Sequence, residues 1–177
     1  LFWNSGDEDV QKKNKELLAY TEPIIANPMG RKIDDLCLVT AEVYFFESNY
    51  QKAAFYYDKF KNFRRGNLPE QVTFRYAYSL FKIDNFEKAT PLFKTLASQN
   101  SIIGQQSAYY LGVSAQKSGD LNASSLAFET AKKLDFDKVI QEEAFFNGAK
   151  VLIEKNNKFC SNRNTFCCFK LLRLLRF

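Results

Sequence analysis

A chain of 177 residues, 46% hydrophobic and 25% charged, has room for one domain or one stretch of a longer array. Seven glycines and four prolines are too few for the many tight turns of an all-β fold, so long helices are expected. The net charge of +5 excludes less than it suggests: Arg163, Lys170, Arg173 and Arg176 lie in the last 18 residues, and without them residues 1–159 hold 21 basic against 20 acidic side chains, a mixed surface rather than a phosphate-binding footprint.

The chain opens on "LFWNSGDEDV", without Met, basic leader or cleavage pattern, which reads as a trimmed product and leaves the compartment unknown. Residues 8–26 follow with helical spacing of Val10, Leu17, Leu18, Ile24 and Ile25. Ala19 lies 34 residues before Ala53, which suggests a degenerate or capping first unit over 1–33. Next comes "LCLVTAEVYFFE" (36–47), then "NYQKAAFYYDKF" (49–60). The same alternation returns in 70–82 and 85–96, in 104–117 and 120–131, and in 141–154.

The second segments are in register. Tyr50, Phe86 and Leu121 open them, 36 and 35 residues apart. Ala53, Ala89 and Ser124 come three positions on, Tyr57, Phe93 and Phe128 four further, and Phe60, Leu96 and Ala131 three beyond. Steps of three and four place each set on one helical face. Asn49, Asp84–Asn85 and Gly119–Asp120 precede the openers and supply short polar caps. The first segments carry a small residue near the middle (Ala41, Ala77, Gly112, Gly148) and an apolar or small one three later (Tyr44, Leu80, Ala115, Val151). Hairpin breaks are expected near Ser48–Asn49, Asp84–Asn85, Gly119–Asp120 and Asn156–Asn157. Pro91 falls inside a second helix and should kink it.

A helix, a turn, a second helix and a connection recurring every 34–36 residues resembles the tetratricopeptide repeat family. The segment "SAYYLGVSAQKSGDLNASSLAFETAKKLD" (107–135) carries the resemblance best, through Leu111–Gly112, Gly119–Asp120, Phe128 and Ala131. It implies an all-α fold in which antiparallel helix pairs stack as an α–α superhelix, with about three clear repeats over 34–159. The alternative is an unrelated antiparallel bundle, which needs no fixed period.

The resemblance also implies a function: a non-catalytic scaffold that binds a peptide or partner protein on its first helices. Carried over position by position, the inner candidates are Gln71, Phe74, Tyr78 and Lys82, then Gln106, Tyr109, Val113 and Lys117, then Glu142, Phe145 and Ala149, with Glu42, Phe45 and Phe46 on the first pair. The partner-binding set is Phe74, Tyr78, Lys82, Gln106, Tyr109, Val113, Lys117 and Phe145. Tyr78 and Tyr109 stand out because a phenol needs a partner or water. Aromatic residues and amides flanked by Lys82 and Lys117 suit a partly apolar, mildly acidic peptide. The competing reading of these stripes is core.

The tail, 160–177, breaks the pattern with "CSNRNTFCCFKLLRLLRF". It reads as a closing helix, as a basic amphipathic membrane anchor, or as sequence foreign to the fold. The anchor gives the alternative function, a peripheral membrane or envelope module. No apolar run of 18 residues is present. Cys37 reads as a small core residue, and the tail cysteines lack paired zinc-ligand spacing. Without histidine, a glycine-rich phosphate loop or a nucleophile constellation, neither catalysis, a metal, another cofactor nor nucleic acid is expected.

Overall fold

The computed structural model describes residues 8–30, 32–64 and 66–162. Within them the fold is all-α, with no strand. The helices are α1 (Glu8–Ala26), α2 (Asp34–Phe46), α3 (Tyr50–Phe63), α4 (Glu70–Lys82), α5 (Phe86–Leu96), α6 (Ile102–Lys117), α7 (Leu121–Lys133) and α8 (Lys138–Asn162). The chain divides into two compact units, Leu1–Phe93 and Lys94–Phe177. In the first, α1 packs on α2, α2 on α3 and α3 on α4. In the second, α6, α7 and α8 pack on one another.

Three turns are built alike, atom for atom. Ser48, Asp84 and Gly119 adopt left-handed φ values of 60°, 58° and 82°. Each donates its N–H to the carbonyl three residues back: Phe45, Phe81 and Gln116. The next residues, Asn49, Asn85 and Asp120, donate five residues back to Tyr44, Leu80 and Ala115. These bonds satisfy carbonyls that a helix end leaves open. Asn49, Asn85 and Asp120 then turn their side-chain Oδ1 onto the N–H of Lys52, Lys88 and Ala123, at 3.3, 3.3 and 2.9 Å. One residue thus ends one helix and caps the next, which fixes a hairpin in three residues.

Burial follows the sequence register. Ala53, Ala89 and Ser124 are buried, as are Tyr57, Phe93 and Phe128, and Phe60, Leu96 and Ala131. On the first helices Ala41, Ala77, Gly112 and Gly148 are buried, and so are Tyr44, Leu80, Ala115 and Val151. The core of the second unit gathers Ala108, Leu121, Phe128, Ala131, Ala144 and Val151. Cys37 is buried in the first.

Two expectations are corrected. α8 runs unbroken through Asn156–Asn157 to Asn162, so no hairpin forms there. The residue 36 after Gly119 is Lys155, a side chain that takes the left-handed turn only at a steric cost. Ala19 is exposed, so α1 does not repeat the register of Ala53. Its buried residues are instead Asn14, Thr21 and Ile25, with Thr40 Oγ1 donating to Thr21 Oγ1 at 2.8 Å. The tail reading concerns residues that lie, from 163 on, outside those described.

Candidate functional site

The α4 stripe forms an aromatic patch within the first unit. Steps of four and eight put Phe74, Tyr78 and Lys82 on one line of the helix. The Tyr78 ring lies 5.6 Å from Tyr50, 6.0 Å from Phe45, 6.2 Å from Phe74 and 6.3 Å from Phe81, centroid to centroid. Edge-on and offset arrangements dominate, as ring quadrupoles favour. Phe45, Tyr50, Phe74, Tyr78 and Phe81 are all half-buried. Lys82 is exposed, with its Nζ 5.5 Å from the Tyr50 centroid and 5.7 Å from that of Tyr78. The patch therefore offers ring faces and one cation together, which suits an apolar group bearing a carboxylate.

In the second unit the stripe candidates separate. Tyr109 and Val113 pack against the core. Tyr109 lies 5.9 Å from Phe128, and its hydroxyl accepts from Asn147 Nδ2 at 3.2 Å while bonding Glu143. Burial first, then the Glu143 carboxylate, push this phenol above its usual range. Its hydroxyl thus has partners within the fold, on α8. Gln106 is half-buried and Lys117 exposed. Phe145 is exposed, with Lys132 Nζ 4.8 Å over its ring.

The sequence reading missed three polar ties in the first unit. Glu22 accepts from the hydroxyls of Tyr44 at 2.6 Å and Tyr56 at 3.0 Å. Lys52 Nζ donates to the Tyr44 hydroxyl at 2.8 Å and stands 3.6 Å from Glu22. Asp58 accepts from Tyr76 at 2.8 Å. Glu42, one of the inner candidates, accepts from Tyr57 at 2.9 Å and pairs with Arg75, whose guanidinium lies 5.1 Å over Phe46. Glu42 is therefore committed to joining α2, α3 and α4. Tyr residues one helix away from an acid were the available signal.

These shifts favour the resting forms. The Tyr44 hydroxyl holds Glu22 below its ordinary value and Lys52 above its own, while burial raises Tyr44 and Tyr56. An environment that keeps the two phenols and the ammonium protonated does not turn them into nucleophiles at neutral pH. Beside the tie, Asn49, Gln51, Lys52, Phe55 and Tyr56 line an open depression of about 540 Å³.

Among the described residues no group of three or more acidic or cysteine side chains is placed to hold a metal, and no helix is long and apolar enough to cross a membrane. The chain matches no protein-family model, no curated protein and no solved structure.

Proposed function

We propose that this chain is a non-catalytic scaffold of tetratricopeptide-like helix pairs, stacked as an α–α superhelix, which holds a partly apolar, mildly acidic peptide of a partner protein. The observation that carries the reading is the turn repeated three times, with the same bonds and the same buried positions at a spacing of 36 and 35 residues. A bundle has no need of that identity; a repeat array is built from it. The α4 patch supplies the binding chemistry in the first unit: the faces of Phe74 and Tyr78, with Lys82 at the end of the stripe. The second unit carries candidates of its own: half-buried Gln106 and exposed Lys117 and Phe145, with Tyr109 and Val113 packed against its core.

Ring burial carries most of the affinity in this reading, because an exposed ion pair contributes only about 0–1 kcal/mol. The test is selection of displayed random peptides on the full chain. Enriched peptides should combine aromatic or aliphatic residues with Asp or Glu. Tyr78→Ala should abolish their binding and Lys82→Glu weaken it, chiefly at low salt, with helicity unchanged. Peptides that bind Tyr78→Ala as well as the parent would place the partner surface elsewhere, and a selection without enrichment would remove the reading.

A further inference from the structure

α8 presents two apolar faces. Ala144, Gly148 and Val151 are buried in the core of the second unit. On the other side Phe145, Phe146, Leu152 and Ile153 are 56%, 62%, 47% and 62% exposed, with exposed Ala149 between them. At 3.6 residues per turn these five share an arc of roughly 120°. Thirty-six residues earlier, Tyr109, Tyr110 and Val113 hold the places of Phe145, Phe146 and Ala149 and are half-buried. Tyr109 packs there on Phe128 of α7, the helix that follows α6. α8 runs on to Asn162 instead of turning back, so no following hairpin partner covers the matching places among the described residues.

The pattern of this face reads the same in both directions. Around Ala149 the large apolar residues stand at −4, −3, +3 and +4. An antiparallel partner α8 centred on Ala149 would meet Phe145 with its Leu152, Phe146 with its Ile153, and Ala149 with its Ala149. All three pairings fall in one register, within one residue. The next places out, seven residues to either side, are Glu142 and Asn156, both exposed. The same register sets that carboxylate against that amide, an acceptor against a donor, once at each end. The small central residue permits the close helix approach that such a crossing needs. Lys132 and Lys150 lie over the Phe145 and Phe146 rings at 4.8 and 4.1 Å and provide a charged rim. A foreign partner requires no such symmetry, whereas a two-fold interface requires every contact to occur twice.

We propose that the exposed face of α8 is a homodimer interface, and that its occupant is α8 of a second copy, antiparallel and centred on Ala149. Light scattering of the full chain over a concentration series should report a dimer. Phe146→Glu changes an exposed side chain and should give a monomer of unchanged helicity. In the full chain with Cys160, Cys167 and Cys168 replaced by Ser, Ala149→Cys should form a disulfide-linked dimer under mild oxidation, and exposed Lys88→Cys should not. A dimer that survives Phe146→Glu, or crosslinks no better at 149 than at 88, would overturn the proposal. So would a monomer at every concentration. In that case slow thiol labelling of Ala149→Cys would mean that the chain covers its own α8, and rapid labelling that the face awaits a different partner.

Discussion

Gly112 in α6 backs onto the ring of Phe128 in α7: a Cβ at residue 112 would fall 2.8 Å from two ring carbons. Phe128 is fully buried and cannot swing away. Gly148 in α8 faces the same residue, but its added Cβ would sit 3.4 Å from Phe128 Cβ, an ordinary contact. Equivalent glycines should therefore respond with opposite signs. Gly112→Ala should lower stability by about 1–3 kcal/mol through overpacking, despite a better helix former. Gly148→Ala should raise it by about 0.5–1 kcal/mol. Urea midpoints decide; loss at both positions would mean that helix approach, not propensity, governs Gly148 too.

The three left-handed turn residues differ in what the conformation costs them. Gly119 adopts φ 82° without a Cβ to clash, whereas Ser48 adopts φ 60° with one. Ser48→Gly should stabilise the chain by about 0.5–1 kcal/mol, and Gly119→Ala should destabilise it by about 1 kcal/mol. The check is thermal unfolding of both variants. A destabilised Ser48→Gly would show that the Ser48 side chain contributes more than its backbone strain costs.

The register of small and aromatic core residues was legible because helical spacing and burial impose it together: Ala53, Ala89 and Ser124 are each small and fully buried at the same place of their helices. The turns were legible because only a few residues cap a helix, and Asn49, Asn85 and Asp120 are among them. Asn156–Asn157 alone does not make a fourth break, since α8 continues through both. A stop also needs a left-handed residue just before, and Lys155 would adopt that conformation only at a steric cost. At the candidate site, the line of Phe74, Tyr78 and Lys82 follows from spacing on α4. That Tyr109 is claimed by Asn147 and Glu143 does not, because a hydroxyl's partner on another helix leaves no periodic trace. Nor does the burial of Gln105, because two adjacent glutamines give no sign of which one turns inward.

Gln105 is fully buried and holds the connection between α7 and α8. Its Nε2 donates to the carbonyls of Ala131, Leu134 and Asp137 at 3.3, 2.7 and 3.1 Å. Its Oε1 accepts from the N–H groups of Phe136 and Asp137 at 3.1 and 2.8 Å. Leu has a similar volume but satisfies none of these groups. Gln105→Leu should cost about 3 kcal/mol, the range for several buried backbone groups left unpaired and partly rehydrated. Amide exchange at Phe136 and Asp137 should accelerate before any change appears in α2 or α3. Protection retained at both amides would mean that the loop holds itself.

Tyr44, Tyr56, Tyr57, Tyr76 and Tyr109 have phenols raised above their ordinary value of 10, with burial as the largest cause in each. The folded state holds these protons more tightly than the unfolded state does. Their contribution to stability is thus constant below pH 10 and falls as pH rises beyond it. Phenolate absorbance should show these five ionising only with the loss of helical circular dichroism. Their ionisation with the helices intact would contradict the buried ties to Glu22, Glu42 and Asp58.

Glu22 supplies the acid counterpart. The Tyr44 hydroxyl is the main cause of its lowered value, joined by Tyr56 and Lys52 and opposed by burial. A lowered folded value means that the unfolded state takes up the proton more readily. The contribution is therefore complete above the ordinary value of 4.5 and disappears as pH falls through the folded one. Its side chain is 36% exposed, so solvent screening keeps the effect small. Glu22→Gln should cost about 1 kcal/mol at neutral pH, since an amide accepts from Tyr44 and Tyr56 less strongly and leaves Lys52 without its countercharge. The gap between parent and variant should close in acid, where the parent's carboxyl is protonated as well. Tyr44→Phe should return the Glu22 titration, followed by carboxyl chemical shift, toward its ordinary range. A gap that is the same at neutral and acid pH would mean that Glu22 acts through packing alone, and that the Glu22–Tyr44–Lys52 tie carries no net charge stabilisation.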